Sequence, residues 1–383
     1  SVTFNGDADY TISASCVDLA GNEGNNIEEQ SFTVDQTAPE IKITGVKADE
    51  SYTGSVSPVV TVTDGNYDTE GVTVNIVGGK HGKSKVSSSV SDIAHGQTYS
   101  FADLQHTQDN DDYYTLTAKA VDKAGHETEE TIAYKVNRFG SVYVMNDALQ
   151  AAVDQYYATS SDKYAIIEQN VDELDSYTVS YSVDNEIVNL EENKGYKVSH
   201  KTNKEDWQEY EYKLDADTFS KEGVYNISIS SKDTAGNASD NKSKNVEMEF
   251  CIDNTKPSCI ISGVEENQKF DKGVAANIVV EAYDNIKFGD MQISVNGSQI
   301  KSEKDMTDGK VSFTIDPAKG DQTLKVVCHD AAGNETVQEV HFTFNMGVLN
   351  SGSPVAIIII VIAVAAAAAV SFFLIAKKKK NGK

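Results

Sequence analysis

A five-residue pattern, Asp-x-Ala-Gly followed by Asn or His, occurs four times in the chain. An Asp side chain accepts backbone N–H groups two residues further on, and Gly adopts a positive φ without a Cβ clash. Asn and His tolerate the left-handed region better than most residues do. Each copy therefore predicts a tight structural turn. The first and fourth residues of the copies are Asp18 and Gly21, Asp122 and Gly125, Asp233 and Gly236, and Asp330 and Gly333.

The four copies are separated by 104, 111 and 97 residues, which is the size of one small β-domain. Bulky residues precede each Asp at alternate positions, and this period of two places one face of a strand on a core. Each copy is therefore expected to close a domain as strand, turn and strand. The sixth residues before the Asp are Ile12, Leu116, Ile227 and Leu324, and the eighth residues are Tyr10, Tyr114, Tyr225 and Gln322.

Two proline-containing junctions mark domain borders. Asp35-Gln-Thr-Ala-Pro39 and Asp253-Asn-Thr-Lys-Pro257 follow closing strands, and proline restricts the residue before it to extended conformations. We predict the C-terminal part of a repeat in residues 1–38, which implies further sequence before Ser1. The other predicted units are a repeat in 39–137, a longer variant in 138–255 and a last repeat in 256–346.

The patterning predicts an all-β fold of tandem sandwiches. The complete repeat in residues 39–137 has about seven short alternating strands in about 100 residues. The longer unit differs, because Leu149, Val153 and Tyr156 recur at helical spacing and predict a short helix that Asn146 or Asp147 could cap.

The C-terminal end is predicted to hold one transmembrane α-helix in residues 354–376. Val355–Ala376 are 22 residues without a charge, enough to cross a hydrocarbon core about 30 Å thick, so the lipid bilayer is the expected partner of residues 355–376. Residues 347–353 form a linker, and residues 377–383 form a basic tail. Clustered lysines are retained in the cytoplasm. The repeats are therefore expected outside a cell membrane that the chain crosses once.

The formal net charge of −26 bears on the partners of the chain. A strongly acidic chain argues against nucleic-acid binding, because phosphates repel it. Solubility and mutual repulsion of crowded surface proteins account for this charge, and a specific cationic partner is the alternative. An extracellular protein or glycan ligand is left open.

The repeats and the junctions Val34-Asp-Gln-Thr-Ala-Pro39 and Ile252-Asp-Asn-Thr-Lys-Pro257 resemble the bacterial immunoglobulin-like repeats of large Gram-positive cell-surface proteins. The resemblance implies Ig-like β-sandwiches in a stalk or adhesin-like ectodomain. Such proteins often carry a sortase signal. Here Leu349-Asn-Ser-Gly-Ser353 does not match one, so a retained membrane span is expected instead of linkage to the cell wall.

Two cysteines of the last repeat occupy positions where the second repeat has none. Cys328 lies two residues before Asp330, and Cys259 aligns with Ile41 when the junction prolines are superposed. Their joint appearance suggests a Cys259–Cys328 disulfide, which suits an extracellular location. Two buried free thiols are the alternative. Cys251 matches Thr33 and Lys135 and is expected to face solvent.

No cofactor or metal is assigned from the sequence. The segment from Asp64 to Glu70 has oxygen side chains at alternate positions, as a Ca²⁺ loop would, but Asn75 stands where an EF-hand requires Glu. A solvated loop between strands is the favoured interpretation. No zinc motif, nucleophile elbow or phosphate-binding loop occurs, so no catalytic residue is assigned.

Trp207, Tyr210 and Tyr212 form an aromatic group in the longer unit. Rings in this arrangement either stack on a sugar or pack in a core or an interface, and packing is favoured. The predicted function is a non-enzymatic surface stalk that projects an upstream module. The alternatives are the anchor and spacer of a surface enzyme that acts on glycans, and a carbohydrate-binding module in residues 138–255.

Overall fold

A computed structural model describes residues 1–25, 27–80, 82–83, 88–184, 186–201, 206–318 and 320–345. The first unit is an antiparallel hairpin in which Ala8 pairs with Val34. Three rings, Phe4, Tyr10 and Phe32, pack together on one face of this hairpin. Its strands are β1 (Ala8–Ala14) and β2 (Ile27–Val34).

The second repeat is a sandwich of two sheets. One sheet has the order β3-β5-β9-β8 and the other has the order β4-β11-β10-β6-β7. The strands are β3 (Glu40–Thr44), β4 (Ser51–Tyr52), β5 (Val59–Thr63), β6 (Val72–Gly78), β7 (Gly82–Lys83), β8 (Ser88–Ile93), β9 (Gly96–Phe101), β10 (Asp112–Val121) and β11 (Glu127–Val136), with a 3₁₀ turn at Gln108–Asn110.

The third unit is a sandwich with an inserted helix. Its sheets have the orders β12-β14-β18-β17 and β13-β21-β19-β15-β16, and β20 also pairs with β19. The elements are β12 (Val142–Met145), α1 (Asp147–Gln155), β13 (Tyr157–Ala158), β14 (Ala165–Asn170), β15 (Leu174–Val183), β16 (Glu186–Asn189), β17 (Tyr196–Lys201), β18 (Gln208–Leu214), β19 (Gly223–Asp233), β20 (Ala238–Asp240) and β21 (Glu249–Ile252), with a 3₁₀ turn at Ala216–Phe219.

The predicted helix is confirmed and is α1. The Asn146 side chain caps it by accepting the Leu149 N–H, and Leu149 and Ala152 face the core. Tyr156 lies beyond the helix at φ 67° and is 36% exposed, so its predicted place on the buried face was wrong.

The fourth repeat has sheets of order β22-β24-β27 and β23-β29-β28-β25-β26. Its strands are β22 (Ser258–Ser262), β23 (Gln268–Phe270), β24 (Ala276–Tyr283), β25 (Phe288–Val295), β26 (Ser298–Ser302), β27 (Lys310–Ile315), β28 (Gly320–Asp330) and β29 (Glu335–Phe344), with a 3₁₀ turn at Glu303–Asp305.

The three sandwiches share Ig-like features. In each, a short early strand pairs parallel with the final strand: β4 with β11, β13 with β21, and β23 with β29. In the first hairpin, the second repeat and the third unit, but not in the fourth repeat, which has Gln322, a tyrosine eight residues before the turn Asp donates its hydroxyl to the carbonyl four residues upstream. These residues are Tyr10, Tyr114 and Tyr225. Such a corner at the start of the penultimate strand is typical of immunoglobulin domains.

Each sandwich has its own hydrophobic core. The second repeat buries Val60, Leu116 and Val136, and the fourth buries Ile278, Leu324 and Phe342. The core of the third unit is the richest in rings. Its buried aromatic residues are Tyr143, Tyr164, Tyr196, Tyr210, Tyr212, Phe219, Tyr225 and Phe250.

Among the residues that the structure describes, no helix is long and apolar enough to cross a membrane. The predicted linker, transmembrane helix and basic tail, residues 347–383, lie outside the described residues.

Candidate functional site

The repeated turn joins the last two strands of each unit and has one geometry. In every copy the backbone N–H of the Asp bonds the carbonyl of the fifth residue, and the Gly N–H returns to the Asp carbonyl. The Gly φ lies between 85° at Gly21 and 95° at Gly125 and Gly236. The predicted turn is therefore confirmed, and the glycine is needed for its backbone angle.

The fifth residue of the pattern has a different role from the predicted one. Asn22, Asn237 and Asn334 are not among the residues with positive φ, so tolerance of the left-handed region does not explain them. Their side-chain amides instead donate to the Oδ2 atom of the turn Asp, at 2.7, 3.0 and 2.8 Å. His126 makes the matching contact to Asp122 through Nδ1 at 2.8 Å.

In the third and fourth units this amide also reaches the junction before the sandwich. Asn237 Nδ2 donates to the carbonyl of Asn137 at 3.0 Å, and Asn334 Nδ2 donates to the carbonyl of Asp253 at 2.9 Å. The turn is therefore bonded to the chain that enters its own domain. The junctions become the candidate functional sites, because turn, loop and linker meet there.

Replacing Asn237 by Ala is expected to lower the free energy of unfolding of the third unit by about 2 kcal/mol. The change removes a donor to the carboxylate of Asp233, which is 1% exposed, and a donor to a junction carbonyl. Urea unfolding followed by the fluorescence of Trp207, the single tryptophan, measures it.

Asn22→Ala is the matched control for this change. Asn22 and Asp18 are exposed, so this variant removes a solvated contact and leaves the Trp207 transition unchanged. Equal unfolding midpoints for Asn237→Ala and Asn22→Ala would contradict the assigned role of the junction bond.

The junction between the first hairpin and the second repeat brings together Asp35, Asp122 and His126. One ligand atom of each lies within 4.8 Å of those of the other two. The hydrogen bond to Asp122 raises the pKa of His126, so the imidazolium form is favoured beside these carboxylates. His126 is therefore a cationic partner for the carboxylates of Asp35 and Asp122 at this junction.

The junction between the second repeat and the third unit has an amide at the corresponding position. Asn137 is fully buried, and its Nδ2 atom lies 2.9 Å from Asn170 Oδ1, Asp172 Oδ2 and Asp233 Oδ2. Lys135 forms an ion pair with Asp172 at 3.0 Å. An amide nitrogen and an ammonium group thus stabilise the two acids of this junction.

The junction between the third unit and the fourth repeat brings together Asp253, Asp284 and Asp330. One carboxylate oxygen of each lies within 4.8 Å of those of the other two. Asp253 and Asp330 are 0% and 4% exposed. Burial, followed by the charge of Asp284, raises the pKa of Asp253 to about 7. The sequence interpretation missed this convergence, because it treated the turn Asp as a structural residue only.

Trp207 lies where the third unit meets the second repeat. Its Nε1 atom donates to Asp112 at 3.0 Å, and Lys80 Nζ lies 3.9 Å from the ring centroid. Arg138 also crosses this border, with its side chain 3% exposed and its guanidinium 2.6 Å from Asp103. The border is therefore a packed polar interface.

The aromatic group does not form an exposed platform. Trp207, Tyr210 and Tyr212 are 7%, 5% and 0% exposed, and Tyr212 donates to the buried carboxylate of Glu168 at 2.7 Å. The favoured alternative, packing in the core and at an interface, is what the structure shows. A sugar would have no open ring face of these three residues on which to stack.

Cys259 and Cys328 are both buried in the core of the fourth repeat. The neighbouring Cys259 thiol, followed by burial, raises the pKa of Cys328. The structure holds them as free thiols, and the disulfide remains a prediction. Cys251 is 4% exposed, so its predicted exposure was wrong. Helix α1 contacts strand β21, which carries Cys251, and the described parts of the other repeats have no corresponding α-helix.

The loop from Asp64 to Glu70 uses its first carboxylate in a turn. Asp64 Oδ1 accepts the Asn66 N–H at 2.6 Å, and Asp68 Oδ1 accepts the Glu70 N–H at 3.1 Å. Asp64 is 8% exposed, whereas Glu70 faces solvent. Asp64 and Asp68 therefore each use one carboxylate oxygen in a local turn of the loop.

Residues 3–139 match a family model described as Bacterial Ig-like domain (group 3). The match covers the first hairpin, the first junction and the second repeat. No curated protein matches the chain. The match shows a bacterial Ig-like domain within residues 3–139, and the third unit and the fourth repeat share its sandwich topology.

Solved structures of multidomain proteins are also similar to the chain. A tetra-tandem repeat from the extending region of a large adhesion protein is 15% identical, covers 88% of this chain and 82% of its own, and has a TM-score of 0.34. Fibronectin(III)-like modules of Clostridium thermocellum CbhA are 12% identical, cover 55% and 100%, and have a TM-score of 0.28. Titin domains are 10% identical, cover 81% and 100%, and have a TM-score of 0.32.

Proposed function

We propose that the chain is a non-enzymatic stalk, adhesin-like in type, whose Ig-like repeats project an upstream module from the cell membrane. One observation supports this proposal: hydrogen bonds join successive units at their junctions. At the last junction, Glu222 of the third unit accepts the N–H of Asn254, in the linker at the end of that unit, at 3.0 Å. It also accepts the side-chain amide of Asn285, in the following repeat, at 2.8 Å. Bonds of this kind limit bending between sandwiches that each have a separate core.

The sequence supports a membrane anchor for this stalk. The uncharged run 355–376 precedes four consecutive lysines, a pattern that favours a single span with a cytoplasmic end. The net charge of −26 suits a solvated ectodomain among other surface proteins. The proposal therefore orients Ser1 outward and Lys383 inward.

Cys16 offers a direct test of this orientation. It is exposed, whereas Cys251, Cys259 and Cys328 are buried. A membrane-impermeant maleimide, applied to intact cells after an impermeant reductant, is expected to label the full chain at Cys16. A Cys16→Ser variant controls for the site, and an epitope tag after Lys383 is expected to bind antibody only after lysis. Labelling of Cys16 only in lysed cells would overturn the proposal.

A further inference from the structure

The linker between the second repeat and the third unit differs from the other two linkers. Residues 137–141 read Asn-Arg-Phe-Gly-Ser, whereas the first and last linkers, 35–39 and 253–257, both end in proline. The three middle residues of each proline linker are exposed. In the middle linker Asn137 is fully buried, and the side chain of Arg138 is 3% exposed. The middle linker therefore lies within an interface between its two sandwiches.

Arg138 is the single arginine of the chain, and its guanidinium group reaches back into the second repeat. Its Nε atom donates to the carbonyl of Gly54 at 3.0 Å, and Nη1 donates to the carbonyl of Leu104 at 3.2 Å. Its Nη2 atom lies 2.6 Å from Asp103 Oδ1. Gly54 follows β4 and Leu104 follows β9, so the guanidinium bonds to loops from both sheets of the sandwich. A planar fork of donors makes this possible, and a lysine ammonium cannot reproduce it.

Polar groups of both sandwiches also bond the backbone of this linker. Asp111 of the second repeat is fully buried, and its Oδ2 atom accepts the N–H groups of Arg138 and Phe139 at 2.9 and 2.7 Å. Lys244 of the third unit donates through Nζ to the Phe139 carbonyl at 2.5 Å and to Gln108 Oε1 at 3.3 Å. The linker is therefore fixed from both sides.

Further bonds join the two sandwiches directly. Asp172 of the third unit is 3% exposed and accepts the Ser51 hydroxyl and the Lys135 ammonium group of the second repeat. Lys80 Nζ of the second repeat donates to Gln169 Oε1 of the third unit at 3.0 Å. Unfolding of one sandwich alone would remove these partners from the other. Removing one partner of a buried charged group is strongly destabilising.

The direct contact between sandwiches at the last junction is open to solvent. Asn285 of the fourth repeat donates to Glu222 of the third unit in an exposed contact. The Asn334 amide bonds the carbonyl of Asp253, which belongs to the linker. Water replaces an exposed hydrogen bond at little cost, so unfolding of the fourth repeat removes little from the third unit.

We propose that the second repeat and the third unit, residues 39–255, fold and unfold as one cooperative unit, which Arg138 couples, and that the fourth repeat unfolds separately. Each sandwich has its own hydrophobic core, so the coupling has to come from the interface. The interface supplies it because the buried groups of each sandwich have their partners in the other sandwich or in the linker. The consequence that a stalk bends at its two proline linkers rests on the proposed function above, whereas the cooperativity does not.

The test is hydrogen exchange of the full chain in detergent at increasing urea, measured by mass spectrometry for β10, β19 and β28. Leu116→Ala and Leu324→Ala are a matched pair, because both leucines are 0% exposed and lie six residues before a turn Asp. Leu116→Ala is expected to lower the urea concentration at which β10 and β19 lose protection, in both strands together and by about 1 M. Leu324→Ala is expected to shift β28 alone. Loss of protection in β10 without a shift in β19 would overturn the proposal.

A second set of variants tests the role of Arg138. Arg138→Ala is expected to fold, because Arg138 is in neither hydrophobic core, and to separate the transitions of β10 and β19. With Arg138→Ala present, Leu116→Ala is expected to shift β10 alone. Lys194→Ala is the control, because it removes a cation of the third unit whose ion pair with Glu191 is exposed, and it is expected to leave β10 and β19 coupled.

Coupled transitions of β10 and β19 in Arg138→Ala would show that Arg138 does not couple the two sandwiches, and its assignment would be rejected. None of these measurements requires a cell surface. The cooperativity can therefore fail while the proposed orientation of the stalk holds, and the orientation can fail while the cooperativity holds.

Discussion

A disulfide between Cys259 and Cys328 is expected to raise the free energy of unfolding of the fourth repeat by about 4 kcal/mol. The bond would close a loop of roughly 70 residues, and the chain-entropy model gives this magnitude for a loop of that length. The two thiols already lie in one hydrophobic core, on strands β22 and β28 of opposite sheets. An oxidising extracellular compartment is the environment in which such a bond persists.

Intact mass measured without reductant decides whether the bond exists. The protein isolated from the cell surface is expected to be lighter by two hydrogen atoms, and reduction is expected to accelerate hydrogen exchange in β22 and β28. Cys251→Ser is the control, because Cys251 is a buried thiol of the third unit and lies outside this pair. Complete alkylation of both thiols in denaturant, without reductant, would refute the prediction.

The closing hairpin of each domain could be predicted because its signals are local. Period-two alternation identifies a strand with one buried face, and a glycine at positive φ identifies the turn. The helix α1 was predictable for the same reason, since its cap and its apolar spacing lie within ten residues. Local signals of this kind do not require knowledge of the partner strand.

Some strands carried no such signal. Strand β8, Ser88–Ile93, is exposed at every position, because it lies at the edge of its sheet and has no buried face. The exposure of Cys251 was mispredicted because its strand, β21, contacts helix α1, an insertion that the described parts of the other repeats lack. Burial that is imposed by a distant segment leaves no trace in the alternation of the strand itself.

The acidic cluster of the last junction could not be inferred from spacing. Asp253, Asp284 and Asp330 belong to three segments that meet only when the sandwich closes. A weaker signal was present in the sequence, because the junction position holds Asp35 and Asp253 but Asn137. That difference acquires a meaning only when the structure shows that the Asn137 amide contacts the acids of its junction.

The three junctions therefore differ in how they offset the burial of an acidic side chain. Each places a turn Asp beside the linker that enters its domain, and each needs positive charge or donors to offset the burial of that acid. The first uses His126 and the middle uses Asn137 with Lys135, whereas at the last junction burial and the charge of Asp284 raise the pKa of Asp253. Exchanging the junction residue should therefore change the stability of the domain that it enters.

Replacing Asn137 by Asp is expected to lower the free energy of unfolding of the third unit by about 5 kcal/mol. The new carboxylate would lie beside Asp172 and Asp233, which are 3% and 1% exposed. Two carboxylates about 4 Å apart repel by about 4 kcal/mol at an effective dielectric constant of about 20. The acids also lose a shared donor at about 1–3 kcal/mol, while Lys135 offsets part of the cost.

Urea unfolding followed by Trp207 fluorescence tests this expectation, because the single tryptophan lies at the same junction. Asn189→Asp adds the same charge at an exposed position and is expected to leave the midpoint nearly unchanged. Asn137→Ala removes the donor without adding charge, so its unfolding midpoint is expected to lie between those of Asn137→Asp and Asn189→Asp. Equal midpoints for Asn137→Asp and Asn189→Asp would show that the amide does not stabilise the acids around it.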